Sequence, residues 1–259
     1  MRRLRHLASQ HRTPATNRML GFLLAFNAGA INAGGFLVVG LYTSHMSGFV
    51  SMLADNLVLG HLVLVLTSVG VLLSFTSGAA LTAILVNWAR VHHLRSGYAI
   101  PLLLEALLML VFGVIGGTLN RQTPFAVPGT VLLLAFIMGL QNALVTKISS
   151  ATIRTTHMTG IVTDLGIELG KMLYWNGRET GAQGGVYANP VRLKLFASLL
   201  GLFTVGGVVG AAGFKHIGFV WVLPLAMVLL SLSLPPLVAD FRRIVRLLGA
   251  RAPLSPNTD

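Results

Sequence analysis

Two short polar stretches of this sequence are the ones best suited to chemistry. Ser44-His45-Met46-Ser47-Gly48 is matched 112 residues later by Thr156-His157-Met158-Thr159-Gly160. Each motif combines two hydroxyls, a glycine and an imidazole, whose charge changes near neutral pH. At the start of a helix, such groups either hold an anionic or strongly polar ligand or only cap backbone N–H groups. The candidate substrate-binding residues are Ser44, His45, Ser47, Gly48, Thr156, His157, Thr159 and Gly160.

An apolar segment with a matched asparagine precedes each motif. Ala, Phe, Gly, Asn and Ala recur in residues 25–33 and 135–143 at an offset of 110. Asn32 and Asn142 are equivalent in this match, and Gln141 adjoins the second. A buried amide in a membrane must be hydrogen-bonded, so these three residues either hold helices together or face a polar cavity that binds substrate. Self-similarity of this length predicts two related halves.

The composition is that of an integral membrane protein. Of 259 residues, 54% are hydrophobic and 10% are charged, whereas about 25% are charged in a soluble domain. Cysteine is absent, which excludes disulfides and thiolate chemistry. The net charge of +12 is concentrated at the ends of apolar runs, so it predicts membrane topology and not nucleic-acid binding. We expect no enzymatic activity, cofactor or metal site, because no catalytic, Walker-type or HExxH motif is present.

Six apolar runs are long enough to cross a bilayer, which needs about 20 residues. They cover residues 19–42, 62–89, 99–119, 127–146, 195–214 and 217–239. Two shorter segments of about 15 residues begin at the motifs, and as helices they would be about 22 Å long, less than the bilayer core of about 30 Å. They either cross the membrane, giving eight spans, or enter and leave on one side, giving six.

The positive charges favour six spans. With a cytoplasmic N-terminus, six spans place 17 of the 19 Lys and Arg residues inside, whereas eight spans place 14 inside. Three spans per half give repeats of inverted topology, the arrangement of many secondary transporters. We therefore expect an all-α polytopic membrane protein with six spanning helices and two short half-helices. The expected divisions are a basic cytoplasmic tail at 1–18, one membrane domain at 19–240 with repeats at about 19–119 and 127–239, and a basic cytoplasmic tail at 241–259.

Four of the seven acidic residues lie in the predicted membrane segments. They are Asp55, Glu105, Asp164 and Glu168. An ionisable group at that depth is a candidate for ion or proton coupling. Asp164 follows His157 by two helical turns and Glu168 follows by one more, so these three residues predict a proton or cation relay. Two alternatives stay open: an ion pair of Glu168 with the lysine three residues later, and extension of Glu105 to the surface beside an arginine.

Prolines and glycines predict features of individual helices. Pro224 should kink the last helix, and Pro235-Pro236 should end it. Glycines four residues apart predict close helix packing. They are Gly113 with Gly117 and Gly206 with Gly210.

The motifs also carry a family resemblance. Gly-x-x-Asn-Ala followed by Ser/Thr-His-Met-Ser/Thr-Gly, repeated with Gly-Leu-Gln-Asn-Ala and Thr-Thr-His-Met-Thr-Gly-x-x-Thr-Asp-Leu-Gly, resembles the YoaK-like family. That family comprises bacterial inner-membrane proteins classed as a domain of unknown function. The resemblance covers about residues 19–240, and it departs at Phe49, Ser44 and Ser47, where the family has Asn, Thr and Thr. It implies architecture and localisation more than substrate.

The leading functional hypothesis is a secondary transporter or permease of a small polar or anionic solute. The solute would bind in one cavity between the two short-helix starts, with Asp164 or Glu105 coupling transport to protons. The alternatives are a channel, and a non-transporting membrane assembly or stress-related factor in which the motifs only lock helices. The expected partners are the lipid bilayer and a small-molecule solute, and a homo-oligomer is compatible with the sequence. The expected location is the bacterial inner membrane, with both termini cytoplasmic.

Overall fold

The structure, a computed structural model, describes residues 14–118, 126–149, 155–175 and 185–249. These residues form α-helices and one 3-10 turn, with no β-strand among them. The helices are α1 (Pro14–Val39), α2 (Met46–Leu59), α3 (Leu62–Val91), α4 (Ala99–Thr118), α5 (Ala126–Ile148), α6 (Met158–Leu173), α7 (Pro190–His216) and α8 (Val222–Gly249), and the 3-10 turn is Gly218–Trp221. The predicted fold class is confirmed, because six of these helices are long and apolar enough to cross a membrane.

The two remaining helices, α2 and α6, are short. They contain 14 and 16 residues, or about 21 and 24 Å at the α-helical rise. Each begins directly after the histidine of a motif, at Met46 and Met158, as the sequence predicted. α2 packs along α3, and α6 packs along α7. Both short helices therefore lie on the outside of the bundle that the six long helices form.

Hydrogen bonds between side chains and carbonyl groups give the relative direction of α1 and α5. Asn17, near the start of α1, donates to the carbonyl oxygen of Ile148 at the end of α5, at 3.1 Å. Gln141 of α5 donates to the carbonyl oxygen of Leu24 on α1, at 3.2 Å. Because early residues of one helix meet late residues of the other, α1 and α5 run antiparallel.

Hydrogen bonds from side chains to carbonyl groups also give the direction of α3. Its Ser74 hydroxyl donates to the Leu132 carbonyl oxygen of α5 at 2.6 Å, and its Thr82 hydroxyl donates to the Leu140 carbonyl oxygen at 3.0 Å. Both residue numbers rise by eight, so α3 and α5 run parallel. Lys147 of α5 also donates to Asn87 of α3, so the two helices end at the same side of the bundle.

α1 and α7 are also parallel, and their backbones touch. A Cβ atom on Gly206 would lie 2.8 Å from the carbonyl carbon of Phe26, and one on Gly210 would lie 2.8 Å from that of Ala30. Only glycine permits such an approach, so the predicted packing role of these two glycines is confirmed. A Cβ on Gly117, by contrast, would have no described atom within 4 Å.

α3 and α5 make contacts of the same kind. A Cβ on Gly78 of α3 would meet the Phe136 carbonyl, and a Cβ on Gly139 of α5 would meet the Phe75 carbonyl. The bundle thus has two glycine-packed parallel pairs, α1 with α7 and α3 with α5. The pairs are joined through the antiparallel contact of α1 with α5, and α4 packs against α8.

The last helix differs from its prediction. α8 continues through Pro235 and Pro236 to Gly249, so the expectation that the prolines end it is wrong. A membrane helix tolerates proline because neighbouring groups and small backbone adjustments satisfy the freed carbonyls. Here Leu229 and Leu232, just before the prolines, are buried in the core, which keeps the helix on its path. The helix therefore extends into the predicted C-terminal tail.

Candidate functional site

The first motif connects α1 to the start of α2. Ser44 Oγ donates to Asn32 Oδ1 of α1 at 2.9 Å, and the N-cap of α2 is His45, whose side chain makes no capping hydrogen bond. The alternative that the motif hydroxyls only cap backbone N–H groups is therefore wrong for Ser44, because its hydroxyl bonds Asn32 of the long helix. Gly48 lies against the imidazole, since a Cβ there would be 2.7 Å from His45 Nδ1. Ser47 is exposed.

The second motif repeats this arrangement. Thr156 Oγ1 donates to Asn142 Oδ1 of α5 at 2.6 Å, and His157 is the N-cap of α6 without a side-chain capping bond. Gly160 lies against the imidazole of His157, with a Cβ there 2.9 Å from Cε1. Thr159 is exposed. We call the two hydroxyl-to-asparagine bonds the motif pins, because each fixes the start of a short helix to the preceding long helix.

The two motif pins lie at different depths in the bundle. Gln141 bonds Leu24, so the neighbouring Asn142 is level with about residue 23 of α1, nine residues from Asn32. At the α-helical rise this difference is about 14 Å along the helix axis. The structure therefore does not bring the two short-helix starts together at one cavity, contrary to the prediction.

A hollow of about 300 Å³ lies beside the first motif. Its lining residues are Phe36, Gly40, Leu41, Tyr42, His45, Gly48, Phe49 and Met52. The rings of Phe36 and Tyr42 stack with centroids 4.5 Å apart, and the polar side-chain groups of the lining are the imidazole of His45 and the hydroxyl of Tyr42. Such a hollow suits a ligand with an apolar or aromatic body and one polar atom within reach of an imidazole.

The far ends of the short helices are also fastened. On α6, Glu168 is buried, accepts the backbone N–H of Asn189 at 2.6 Å and pairs with Lys171 at 2.9 Å. The Asn189 N–H, and next the Lys171 ammonium, hold the pKa of Glu168 below its usual range. Of the two sequence interpretations of Glu168, the structure contains the ion pair with Lys171. Asp164, its predicted relay neighbour, is exposed, and the relay stays a prediction.

Asn56 has the corresponding role on α2, which the sequence reasoning missed. It is equivalent to Glu168 at the motif offset of 112, and its Oδ1 lies 3.0 Å from Nδ1 of His61. His61 is the N-cap of α3, as Asn189 is the N-cap of α7. The offset of 112 between the motifs would have identified Asn56 as the equivalent of Glu168. Asp55, the neighbouring candidate for ion coupling, is exposed.

Glu105 lies in the core of the bundle. The residue is 1% exposed, and neither carboxylate oxygen has a hydrogen-bond partner among the described residues. The alternative that it extends to the surface is therefore wrong. One turn along α4, the sulfur of Met109 accepts a hydrogen bond from Asn27 of α1 at 3.9 Å.

Two buried amides accompany this carboxyl group. Asn27 is 2% exposed and Gln141 is fully buried, and the oxygen of each amide has no described partner. Gln141 bonds Leu24, one turn before Asn27 on α1. We call Asn27, Glu105 and Gln141 the buried polar band, because they bring unpaired acceptor oxygens from α1, α4 and α5 into the apolar core. The repeat does not mark Asn27 as a candidate, because its equivalent residue at the offset of 110, Ile137, is apolar.

One family model accounts for most of the chain. Residues 20–234, which include both motifs and the buried polar band, match the family described as "Protein of unknown function (DUF1275)". The chain belongs to the DUF1275 family. This confirms the resemblance seen in the motifs. Comparisons with curated proteins and with solved structures gave no match.

Phe49 follows the glycine of the first motif in this DUF1275 chain. Its side chain is 4% exposed and packs with Val71 of α3 and with Val131 and Ala135 of α5. Ile161, the equivalent residue after the second motif, is likewise buried. The position after the motif glycine is therefore used for packing in both halves, and the first turn of α2 supplies no amide to the hollow.

Proposed function

We propose that the protein is a proton-coupled secondary transporter of a small solute in the bacterial inner membrane. One observation carries the proposal: Glu105 is buried in the core of a bundle of membrane-length helices, with no described partner for either oxygen. An ionised carboxylate in such surroundings is costly, and binding a proton or a cation removes the cost. A group that must gain and lose a proton as its surroundings change can couple a conformational change to proton movement.

The two halves support a transport architecture of inverted repeats. α1 and α5 contain equivalent sequences and run antiparallel. The motif pins are equivalent bonds, and the pairs of α1 with α7 and α3 with α5 use equivalent glycines. Two such halves of opposite orientation allow one site to open alternately to either side of a membrane.

The distribution of positive charge supports cytoplasmic termini. α1, α4 and α7 begin, and α3, α5 and α8 end, at one side of the bundle, which we call the basic end. Lys215 lies at the opposite end of α7. The other ten described Lys and Arg residues lie at the basic end, and an excess of these residues marks the cytoplasmic side. They are Arg18, Arg90, Arg95, Lys147, Lys171, Arg192, Lys194, Arg242, Arg243 and Arg246.

The hollow at the first motif supports a class of solute. Stacked aromatic rings and an imidazole favour a solute with a polar or anionic group on an apolar or planar body. The imidazole of His45 would donate to that group when protonated. This refines the small polar or anionic solute that the motifs predict.

Proteoliposomes containing a pH-sensitive dye test the proposal across several classes of solute. Monocarboxylates, aromatic acids, nucleobases, phosphate and amino acids would be added outside in turn, and the internal pH recorded. We expect at least one class to drive proton entry with the wild-type protein, and Glu105→Gln to abolish that entry. Asp164→Asn tests the other predicted coupling residue, whose carboxylate is exposed. Gly201→Ala is the control, because this exposed glycine of α7 lies outside the motifs and the buried polar band. Proton entry that persists in Glu105→Gln would refute the coupling role, and no response to any class would count against transport.

A second candidate function, a non-transporting assembly factor, is favoured by the motif pins. Each pin joins two helices through a short hydrogen bond, which is how a purely structural motif would act. Ser44→Ala and Thr156→Val should then lower the melting temperature without any solute-dependent proton flux to lose. Under the transport proposal, wild-type flux exists and Glu105→Gln removes it while the melting temperature stays the same or rises.

A further inference from the structure

A groove between the starts of α1 and α7 carries features of a second kind of binding site. It encloses about 560 Å³ at the basic end of the bundle. Residues from both helices line it at helical spacing: Ala15, Arg18, Met19 and Phe22 of α1, and Pro190, Val191, Lys194, Leu195 and Ser198 of α7. Because α1 and α7 are parallel, the two rows descend side by side from the end of the bundle toward its centre.

The two cationic side chains of the lining lie near the helix starts, and apolar side chains precede and follow them along both helices. Arg18 and Lys194 each lie one turn from the start of their helix. Phe22 lies one turn deeper than Arg18 on α1, and Leu195 lies one residue deeper than Lys194 on α7. From the first helical turn to Phe22 the groove extends seven residues, or about 10 Å. A ligand that fits has an anionic group at the surface and an apolar chain directed into the membrane.

The described lining of the groove contains two cations and no acidic side chain. Glu168 approaches this end of α7, where it bonds the Asn189 N–H beside Pro190, and its charge is already paired with Lys171. The N–H groups at the start of α7 are capped by the side chain of Asn189, so the cationic side chains provide the attraction for an anion.

We propose that this groove is a specific site for an anionic phospholipid of the cytoplasmic leaflet. The phosphate would lie between Arg18 and Lys194, and one acyl chain would follow Met19, Phe22 and Leu195. Basic pockets between membrane helices on the cytoplasmic side bind such headgroups, and each cation near the surface contributes to the attraction. The site is separate from the solute hollow at the first motif and does not depend on transport.

The test uses the full-length protein in detergent with added short-chain phosphatidylglycerol, phosphatidylcholine or inorganic phosphate. Bound lipid is counted by native mass spectrometry, and the affinity is obtained from the rise in melting temperature with lipid concentration. We expect phosphatidylglycerol to bind the wild type, and the double variant Arg18→Gln/Lys194→Gln to bind it about 30-fold more weakly. Arg192→Gln is the matched control, because it removes an exposed cation of α7 that does not line the groove.

Each arm of this experiment supports or overturns one part of the proposal. Equal binding of phosphatidylcholine would remove the role of charge, and an equal shift with inorganic phosphate would make the site one for free phosphate. An equal loss in Arg192→Gln would indicate general attraction to the basic end. Ser198→Phe fills the groove without changing charge, so retained phosphatidylglycerol binding in that variant would overturn the placement of the acyl chain. This variant also serves if the double variant fails to fold.

Discussion

The glycine contacts between parallel helices give a sharp test of the fold. We consider Gly206→Ala on α7, where the added Cβ would lie 2.8 Å from the carbonyl carbon and 2.9 Å from Cα of Phe26 on α1. Ordinary contacts of a Cβ atom begin at about 3.4 Å. The obstacle is backbone, which cannot rotate away as a side chain can. The two helices must therefore separate by several tenths of an ångström or more.

The expected magnitude combines two opposing effects. Overpacking of a closely packed interior costs about 1–3 kcal/mol, and the upper part of that range applies to a backbone obstacle. Alanine is the better helix former by about 1 kcal/mol. The net loss should be about 2 kcal/mol, which for a chain of this size lowers the melting temperature by roughly 4–8 °C.

Gly201→Ala is the matched control for this substitution. Gly201 lies on the same helix, is exposed, and a Cβ there would have no described atom within 4 Å. Only the helix-propensity gain remains, so its melting temperature should equal or exceed that of the wild type. Fluorescence-detected size-exclusion chromatography after heating, in one detergent, measures all variants together.

The equivalent contact in the other half extends the test. Gly78→Ala on α3 would meet the Phe136 carbonyl of α5 and should destabilise the protein as Gly206→Ala does. A melting temperature for Gly206→Ala at or above that of Gly201→Ala would refute the close pairing of α1 with α7. Loss in Gly206→Ala without loss in Gly78→Ala would show that the two pairs are not equivalent.

Three further predictions concern individual hydrogen bonds and charges, and each is tested by thermal melting. Thr156→Val removes a motif pin and should lower the free energy of unfolding by about 0.5–1.5 kcal/mol. Thr163→Val is the control and should be nearly neutral, because the exposed hydroxyl of Thr163 bonds a carbonyl oxygen of its own helix. Equal effects of the two substitutions would contradict the pin. Asp240→Ala removes the carboxylate that accepts the Ser96 N–H at 2.7 Å, and it should lower the free energy of unfolding by about 1.5–3 kcal/mol. Asp240→Asn should have an effect between those of the wild type and Asp240→Ala. An unchanged melting temperature in Asp240→Ala would contradict this bond. Glu168 has a pKa below its ordinary value of 4.5, so its stabilisation is complete above that pH and is lost as pH falls through the lowered pKa. The wild type should therefore lose stability in acid more steeply than Glu168→Gln, and parallel profiles would count against this role.

Features that depend on local sequence could be predicted. The length of each apolar run determined which segments are long enough to cross a membrane, and six were found where expected. The motifs placed the starts of both short helices at Met46 and Met158. His61 and His92, which cap the two ends of α3, flank the predicted apolar run 62–89. These properties follow from residues within one or two turns of each other.

Features that depend on distant partners could not be predicted. Whether the Ser44 hydroxyl caps its own helix or bonds Asn32 depends on where α1 ends relative to α2, and the sequence does not give that distance. Asn27 lacked an equivalent polar residue, yet it contacts α4 and belongs to the buried polar band. Glu105 could be placed at membrane depth, but the side of α4 that faces the core follows from the packing of α4 against α5 and α8.

The exchanged pairing of helices limits how the proposed transporter could move. α1 of the first half packs with α7 of the second, and α3 of the first half packs with α5 of the second. The halves therefore cannot rock as separate bodies without breaking both glycine-packed pairs. The remaining division separates the pair of α1 and α7 from the pair of α3 and α5. These pairs meet at the contact of α1 with α5, which is bridged by hydrogen bonds from side chains to backbone. The buried polar band spans that same contact, since Asn27 lies on α1 and Gln141 on α5. Glu105 lies one turn along α4 from Met109, whose sulfur accepts the hydrogen bond of Asn27 on α1, so a proton gained or lost at Glu105 would act beside that contact.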